Sequence, residues 1–174
     1  KPSIYLWAKD RAGNQQKATF YHRIRNKRFR NDRINITDKF LNRVLPYFSF
    51  YPLEAEEGSI NKYVKINNYL RKENHQTFLE LRKKTSPKSL WKGPWLRLKK
   101  AATMSRFADR RSYYYKGKKV DEQIHFGIDL ASLPNSPVPA TNDGKILFAE
   151  RNGIYGLSVL LDHGQGLASM YAHL

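Results

Sequence analysis

The last third of the chain switches to a two-residue hydrophobic period, and this alternation limits the folds open to it. Short strands are predicted over residues 145–150, 157–162 and 167–174. Asn, Asp and Gly residues typical of tight turns separate these strands, at positions 142–144, 152–153 and 163–166. Because short strands joined by tight turns pair with their neighbours in sequence, the pattern predicts a compact antiparallel sheet.

The third of these predicted strands alternates without interruption to the final residue. One face carries four side chains, those of Leu167, Ser169, Tyr171 and His173. The predicted strand runs to Leu174 without a closing turn or a polar tail. We therefore expect the natural domain to continue in sequence beyond Leu174.

The first 25 residues predict a strand hairpin. Residues 2–9 and 17–24 have strand character, and the turn-forming residues 10–14 lie between them. The pattern resembles the last hairpin of a bacterial immunoglobulin-like module, although the resemblance is short.

Two helices are predicted in the segment that follows. Residues 38–45 have apolar side chains at helical spacing, with Thr37 as the N-cap and Pro46 as the stop. Residues 59–84 predict a longer helix, capped by Ser59 and broken near positions 73–74. These helices define a basic, partly helical region over residues 26–90.

The charge of the chain is divided as unevenly as its periodicity. The formal net charge is +17; residues 121–174 carry −4 and residues 1–120 carry +21. Basic surfaces attract nucleic acid, anionic lipid or anionic wall polymer, and charge alone does not distinguish these from a basic surface without a dedicated partner. The chain has no cysteine, which excludes disulfides and thiolate metal ligands. No apolar run is long enough for a transmembrane helix.

The residues that point most clearly to a chemical function are His125 and Asp129, which flank Gly127. Imidazole nitrogen and carboxylate oxygen are both zinc ligands. In a straight strand the two residues would lie about 13 Å apart, too far to share an ion. A helix is disfavoured by Gly127 and by the Pro-rich residues 133–137. We therefore expect a bend at Gly127 that brings the two side chains together.

Further motifs follow this pair in a fixed order. They occupy residues 137–140, 143–146, 153–156, 162–164 and 171–174, and residues 105–111 form an aromatic and basic segment upstream. Together they resemble the zinc metallopeptidases of the lysostaphin and LytM type, peptidase family M23, over roughly residues 105–174. Ala108 stands where the family usually has glycine.

The resemblance implies a chemistry for individual residues. His125 and Asp129 match the first two zinc ligands, so Zn²⁺ is the expected cofactor. His173 matches the catalytic histidine that assists activation of the attacking water. The family's His-x-His motif, which supplies the third ligand and a second catalytic histidine, is absent from these residues. Tyr155, between two glycines, is either a substrate-binding or a packing residue.

The other three histidines receive simpler interpretations. His163 lies in a turn, where a structural hydrogen bond is expected, and His22 and His75 are predicted to be ordinary surface residues.

The predicted fold is an α+β chain in which the N-terminal hairpin and the helical region precede an antiparallel, β-rich metallopeptidase domain over residues 91–174. The resemblance implies an endopeptidase that hydrolyses peptide bonds in peptidoglycan stems or cross-bridges, located in the bacterial envelope, periplasmic or extracellular. One alternative is an inert relative that binds peptidoglycan or activates another hydrolase.

A further alternative comes from residues 91–119, which hold ten basic residues, one acidic residue and six aromatic residues. Interleaved basic and aromatic side chains are found in proteins that bind single-stranded nucleic acid. No recognisable nucleic-acid-binding module accompanies them, and no nucleic-acid partner is expected.

Overall fold

The computed structural model describes residues 4–23, 25–54 and 57–174. It combines three α-helices in its N-terminal half with four small sheets, three of which are purely antiparallel. The predicted α+β class is confirmed. No helix of the described residues is long and apolar enough to cross a membrane.

The N-terminal hairpin is present. Strands β1 (Tyr5–Lys9) and β2 (Gln15–Thr19) pair antiparallel, so the second strand begins earlier than predicted. Asp10 closes the turn by accepting hydrogen bonds from the backbone and side-chain nitrogens of Asn14, at 2.9 and 2.8 Å. All side chains of both strands are exposed. Residues 2–3 and 24 of the predicted strands lie outside the described residues.

A three-stranded sheet joins the helical region to the C-terminal part of the chain. Strand β3 (Asn31–Ile36) pairs in parallel with β5 (Arg110–Tyr115), and β6 (Lys118–Ile124) pairs antiparallel with β5. The hairpin of β5 and β6 follows from the turn at Lys116 and Gly117, both of which have positive φ. Strand β3 was not predicted, because its alternating residues are mostly polar.

The helices cover this sheet. Helix α1 (Asp38–Val44) begins at the predicted N-cap, where Thr37 Oγ1 accepts from the backbone N–H of Phe40 at 3.2 Å. A 3₁₀ turn at Leu45–Phe48 follows, with Pro46 in its first turn. The buried side chains of Ile36, Leu41 and Tyr113 form the core between the helices and the sheet.

The second predicted helix is continuous through positions 73–74, where a break was expected. Its segments are α2 (Ser59–Lys65), a π-helical stretch (Ile66–Leu70) and α3 (Arg71–Arg82), and the N-cap is Gly58 in place of Ser59. The irregularity coincides with side chains that hydrogen-bond to backbone carbonyls. The Asn68 side chain donates to Val64 O at 2.9 Å and the Arg71 side chain to Asn67 O at 3.1 Å.

The predicted C-terminal sheet is present. Strands β8 (Lys145–Arg151), β9 (Leu157–Gly164) and β10 (Leu167–Tyr171) are antiparallel, with β9 in the centre. The last strand ends three residues earlier than predicted, at Tyr171. A fourth, two-stranded sheet was not predicted: β4 (Ala102–Ser105) pairs antiparallel with β7 (Asp129–Ala131).

The segment that follows helix α3 lies against the central strand β9. Buried Asp162 accepts three hydrogen bonds, from Thr85 Oγ1 at 2.7 Å, Ser86 N at 2.8 Å and Gly164 N at 2.9 Å. Burial raises the pKa of Asp162, but these hydrogen bonds to its carboxylate outweigh burial and hold the pKa below its usual value.

Asp162 therefore predicts a pH-dependent stability. Because the pKa of Asp162 is lower in the folded state, its ionised carboxylate stabilises the fold at any pH above the pKa of an aspartate in the unfolded chain, about 3.9. This stabilisation is lost as the pH falls through the lower pKa of the folded state. Replacement by Asn should lower the free energy of unfolding near pH 7 by about 2 kcal/mol and weaken the loss of stability in acid. Denaturant unfolding from pH 2 to 7 measures both, with Asp143→Asn as the exposed control. An acid-induced loss as steep as in the wild type would contradict this assignment.

Candidate active site

The His125 and Asp129 side chains meet at the end of the β5–β6 hairpin. His125 directly follows β6, and Asp129 is the first residue of β7. The chain bends through residues 126–128, so His125 Nε2 and Asp129 Oδ1 are 3.0 Å apart. The bend expected at Gly127 is therefore present, and it joins two side chains that a straight strand would separate.

The His125 ring is oriented from behind. Its Nδ1 lies 3.1 Å from the backbone oxygen of Arg106 and 3.2 Å from Ser105 Oγ. A carbonyl oxygen only accepts, so Nδ1 carries the proton in this contact. Nε2 then faces Asp129 Oδ1, and a cation held between the two atoms would satisfy both of them.

Asp129 is held on its other oxygen by an arginine. Arg111 Nη2, from β5, donates to Asp129 Oδ2 at 2.7 Å and to Ser105 Oγ at 2.8 Å. The guanidinium offsets part of the carboxylate charge and leaves Oδ1 directed at His125. Arg111 and Ser105 were not predicted as site residues from sequence, although both lie in the segment that carries the family resemblance.

A buried carboxylate supports this arrangement from below. Asp109 Oδ2 accepts from the backbone N–H of Arg106 at 2.8 Å and lies 3.3 Å from Ser105 Oγ and 3.5 Å from Arg30. The hydrogen bond from Arg106 is the main cause that holds the pKa of Asp109 below its usual value. The backbone oxygen of Asp109 also accepts from His125 N at 2.9 Å, so the turn and His125 are joined directly.

The donor set fits part of a zinc site. Two ligands of a tetrahedral zinc ion lie about 3.3 Å apart, given ligand distances of about 2.0–2.2 Å. The separation of Nε2 and Oδ1, 3.0 Å, needs only a small opening. Across residues 4–23, 25–54 and 57–174, no group of three or more His, Cys, Asp or Glu side chains is close enough to hold a metal ion. The described residues thus supply a two-residue donor pair.

His173 occupies a different position from the one predicted. Its backbone has φ +59° and its N–H donates to Tyr155 O at 2.8 Å. Because β10 already ends at Tyr171, the prediction that His173 continues the face of that strand was wrong. The side chain is exposed, and it does not join His125 and Asp129 in a three-residue metal group within the described structure.

Tyr155 lies in a short 3₁₀ turn (Gly153–Tyr155), and its ring packs against Phe78 of helix α3 with centroids 5.4 Å apart. Burial raises the pKa of its hydroxyl. This contact agrees with the packing interpretation, whereas the substrate-binding role remains a prediction.

Helix α3 also holds the loop that contains Tyr155. The side-chain oxygen of Asn74 accepts from Ile154 N at 2.8 Å, and its backbone oxygen accepts from the Asn152 side chain at 3.0 Å. Gly153 has φ +47°, and a Cβ there would lie 2.0 Å from Asn74 Oδ1. The loop that positions the His173 backbone is therefore closely fitted to the helical region.

The other histidines serve packing. His163 is fully buried, with Nδ1 2.7 Å from Asp143 O and Nε2 2.8 Å from Ser169 Oγ, in agreement with the structural hydrogen bonding expected from sequence. His75 and His22 are half-buried, in contrast to the expected surface positions. The His75 ring stacks on Phe126, with centroids 6.1 Å apart.

The backbone conformation at Ala108 favours the glycine that is usual at this position in the M23 peptidases that the sequence resembles. Its φ is +64°, and its N–H donates to His125 O at 2.8 Å, so the left-handed backbone directs the turn toward the ligand. For a residue with a Cβ this conformation costs roughly 1–2 kcal/mol.

Ala108→Gly should therefore raise the free energy of unfolding by about 0.5–1 kcal/mol. Ala149→Gly is the matched control, because Ala149 is exposed in β8 and a strand glycine there should destabilise by a similar amount. Denaturant unfolding of both variants measures the difference. A loss of stability in Ala108→Gly as large as in the control would show that the positive φ is not a strain.

Comparisons with known proteins find similarity in the C-terminal part of the chain. Residues 123–174 match the sequence model of peptidase family M23. The DD-carboxypeptidase/endopeptidase Mpg of Neisseria meningitidis serogroup B (strains ATCC 13091 / M2091 and MC58) is 44% identical over 52 residues, and so is Mpg of Neisseria gonorrhoeae (strain ATCC 700825 / FA 1090). The alignment covers 30% of this chain but only 12% of each relative.

Proposed function

We propose that this protein is a zinc-dependent endopeptidase that hydrolyses peptide bonds in bacterial peptidoglycan stems or cross-bridges, because residues 123–174 match the sequence model of peptidase family M23. The observation that carries the proposal is the contact between His125 Nε2 and Asp129 Oδ1, 3.0 Å apart, with both side chains oriented by further hydrogen bonds. The Mpg proteins, which are named DD-carboxypeptidase/endopeptidase, support a peptidase activity.

The residues of this chain would divide the work as follows. His125 Nε2 and Asp129 Oδ1 would hold the zinc ion, with the Nδ1 proton of His125 kept on the Arg106 carbonyl. Bound zinc would supply Lewis acidity toward the scissile carbonyl. Arg111 would keep the second oxygen of Asp129 away from the ion.

His173 would move the proton in this mechanism. An imidazole can take a proton from water through its unprotonated nitrogen and return it to the leaving amine. Its side chain is exposed while its backbone is fixed to Tyr155, so the ring can turn toward a bound peptide. Tyr155, whose backbone oxygen accepts from the His173 N–H, would border the substrate.

A peptidoglycan substrate places the protein in the bacterial envelope, in the periplasm or outside the cell. The basic charge of residues 1–120 suits the anionic wall polymers found there. Peptidoglycan is thus the proposed partner.

The alternative is an inert relative that binds peptidoglycan or activates another hydrolase. The observation in its favour is the two-residue donor pair, because a catalytic zinc usually has three protein ligands. The retained His125 and Asp129 favour the enzyme.

Zinc content and wall hydrolysis test the proposal together. In the full-length protein we expect one zinc ion per chain and hydrolysis that a chelator stops. His125→Ala should weaken zinc binding by more than about 100-fold and abolish hydrolysis. His22→Ala is the control, because His22 lies outside the site.

The outcomes separate the two functions. Wall hydrolysis that survives His125→Ala would refute the assignment of the site. A protein that binds purified walls but holds no stoichiometric zinc would establish the alternative.

A further inference from the structure

A cavity of about 330 Å³ adjoins the turn that supports His125. The chain from Lys27 to Arg30 forms one wall, and residues from β4 and the turn after it form the other. The second wall includes Arg106 and Asp109, which also support His125. The cavity and the candidate metal pair therefore share one structural element, the turn that contains Arg106 and Asp109.

The cavity is strongly cationic. Four basic side chains line it, those of Lys27, Arg28, Arg30 and Arg106, against the single carboxylate of Asp109. That carboxylate is buried and already accepts hydrogen bonds, and Arg30 is paired with it and with Asp32.

Three cations consequently remain for a ligand. In the described part of the chain, Lys27, Arg28 and Arg106 form no ion pair. All three are exposed, so they are reachable from solvent. Clustered charges of one sign in a cleft raise the local concentration of anions.

Apolar groups complete the lining. Phe29 and Phe107 are 45% and 55% exposed, and Met104 is 61% exposed, although hydrophobic side chains of this size are usually more deeply buried. A ligand for this cavity should therefore combine negative charge with small apolar groups.

We propose that this cavity binds a carboxylate-bearing peptide, as a subsite for a wall peptide next to the one that is cut. This inference rests on the proposed function for the choice of peptide. A peptide with free carboxylates and small apolar side chains would suit both the cations and the apolar walls. A peptide is favoured over nucleic acid because the cavity adjoins a candidate peptidase site.

Peptide binding to the full-length protein, with zinc removed by a chelator, tests the subsite without requiring hydrolysis. The probe is a fluorescent alanine-containing tetrapeptide with two free carboxylates, followed by anisotropy. We expect Arg28→Gln combined with Arg106→Gln to weaken binding about fivefold or more. Lys39→Gln combined with Lys145→Gln removes the same charge at exposed positions outside the cavity and should leave binding unchanged.

Two further probes identify the chemistry. The same tetrapeptide with amidated carboxyls should bind at least about fivefold more weakly, and added salt should weaken binding of the free acid. Equal binding of the two peptides, no effect of the Arg28 and Arg106 changes, or no peptide binding at all would overturn the proposal.

Nucleic acid is the remaining outcome. A single-stranded oligonucleotide that binds more tightly than the peptide, and that the same double variant releases, would replace this proposal with a nucleic-acid site. Failure of wall hydrolysis with intact, carboxylate-dependent peptide binding would refute only the proposed function. Arg28 and Arg106 are exposed, so both variants should fold, and circular dichroism verifies this.

Discussion

The geometry of the candidate site depends on one buried carboxylate, that of Asp109. It is 3% exposed, and it fixes the turn through the backbone N–H of Arg106 and the hydroxyl of Ser105. That turn then orients His125 through its ring and its backbone. A charged group is buried only where hydrogen bonds replace its water, and here those bonds come from the residues that orient the His125 ring.

The helical region is part of the same structure and does not stand apart from it. Strand β3 supplies one edge of the sheet that contains β5, and Asn74 of α3 fits closely against the loop that holds the His173 backbone. Asp162 fastens the linking segment to the central strand of the C-terminal sheet. Residues distant in sequence therefore support both the strand that carries Arg111 and the loop that holds the His173 backbone. Loss of these contacts would disturb the geometry of the candidate site although none of its own residues is changed.

The asymmetry of charge also acquires a location. The excess of basic residues lies upstream of residue 121, and part of it converges on the cavity behind His125. Composition shows that a chain is cationic, but it does not show whether the charges are dispersed or focused. In this protein the pairing of Arg30 with Asp32 and Asp109 removes one cation and leaves Lys27, Arg28 and Arg106 in the lining of the same cavity.

Local patterns sufficed for the strands of the C-terminal sheet, for the Thr37 cap and for the His125–Asp129 pair, because turn residues, capping side chains and alternation act over a few positions. The parallel pairing of β3 with β5 could not be derived in this way, nor could the contact of Arg111 with Asp129. Such contacts join residues many positions apart and leave no local periodicity. The sequence alone determined which residues could bind a metal, and the tertiary structure decided how they are held.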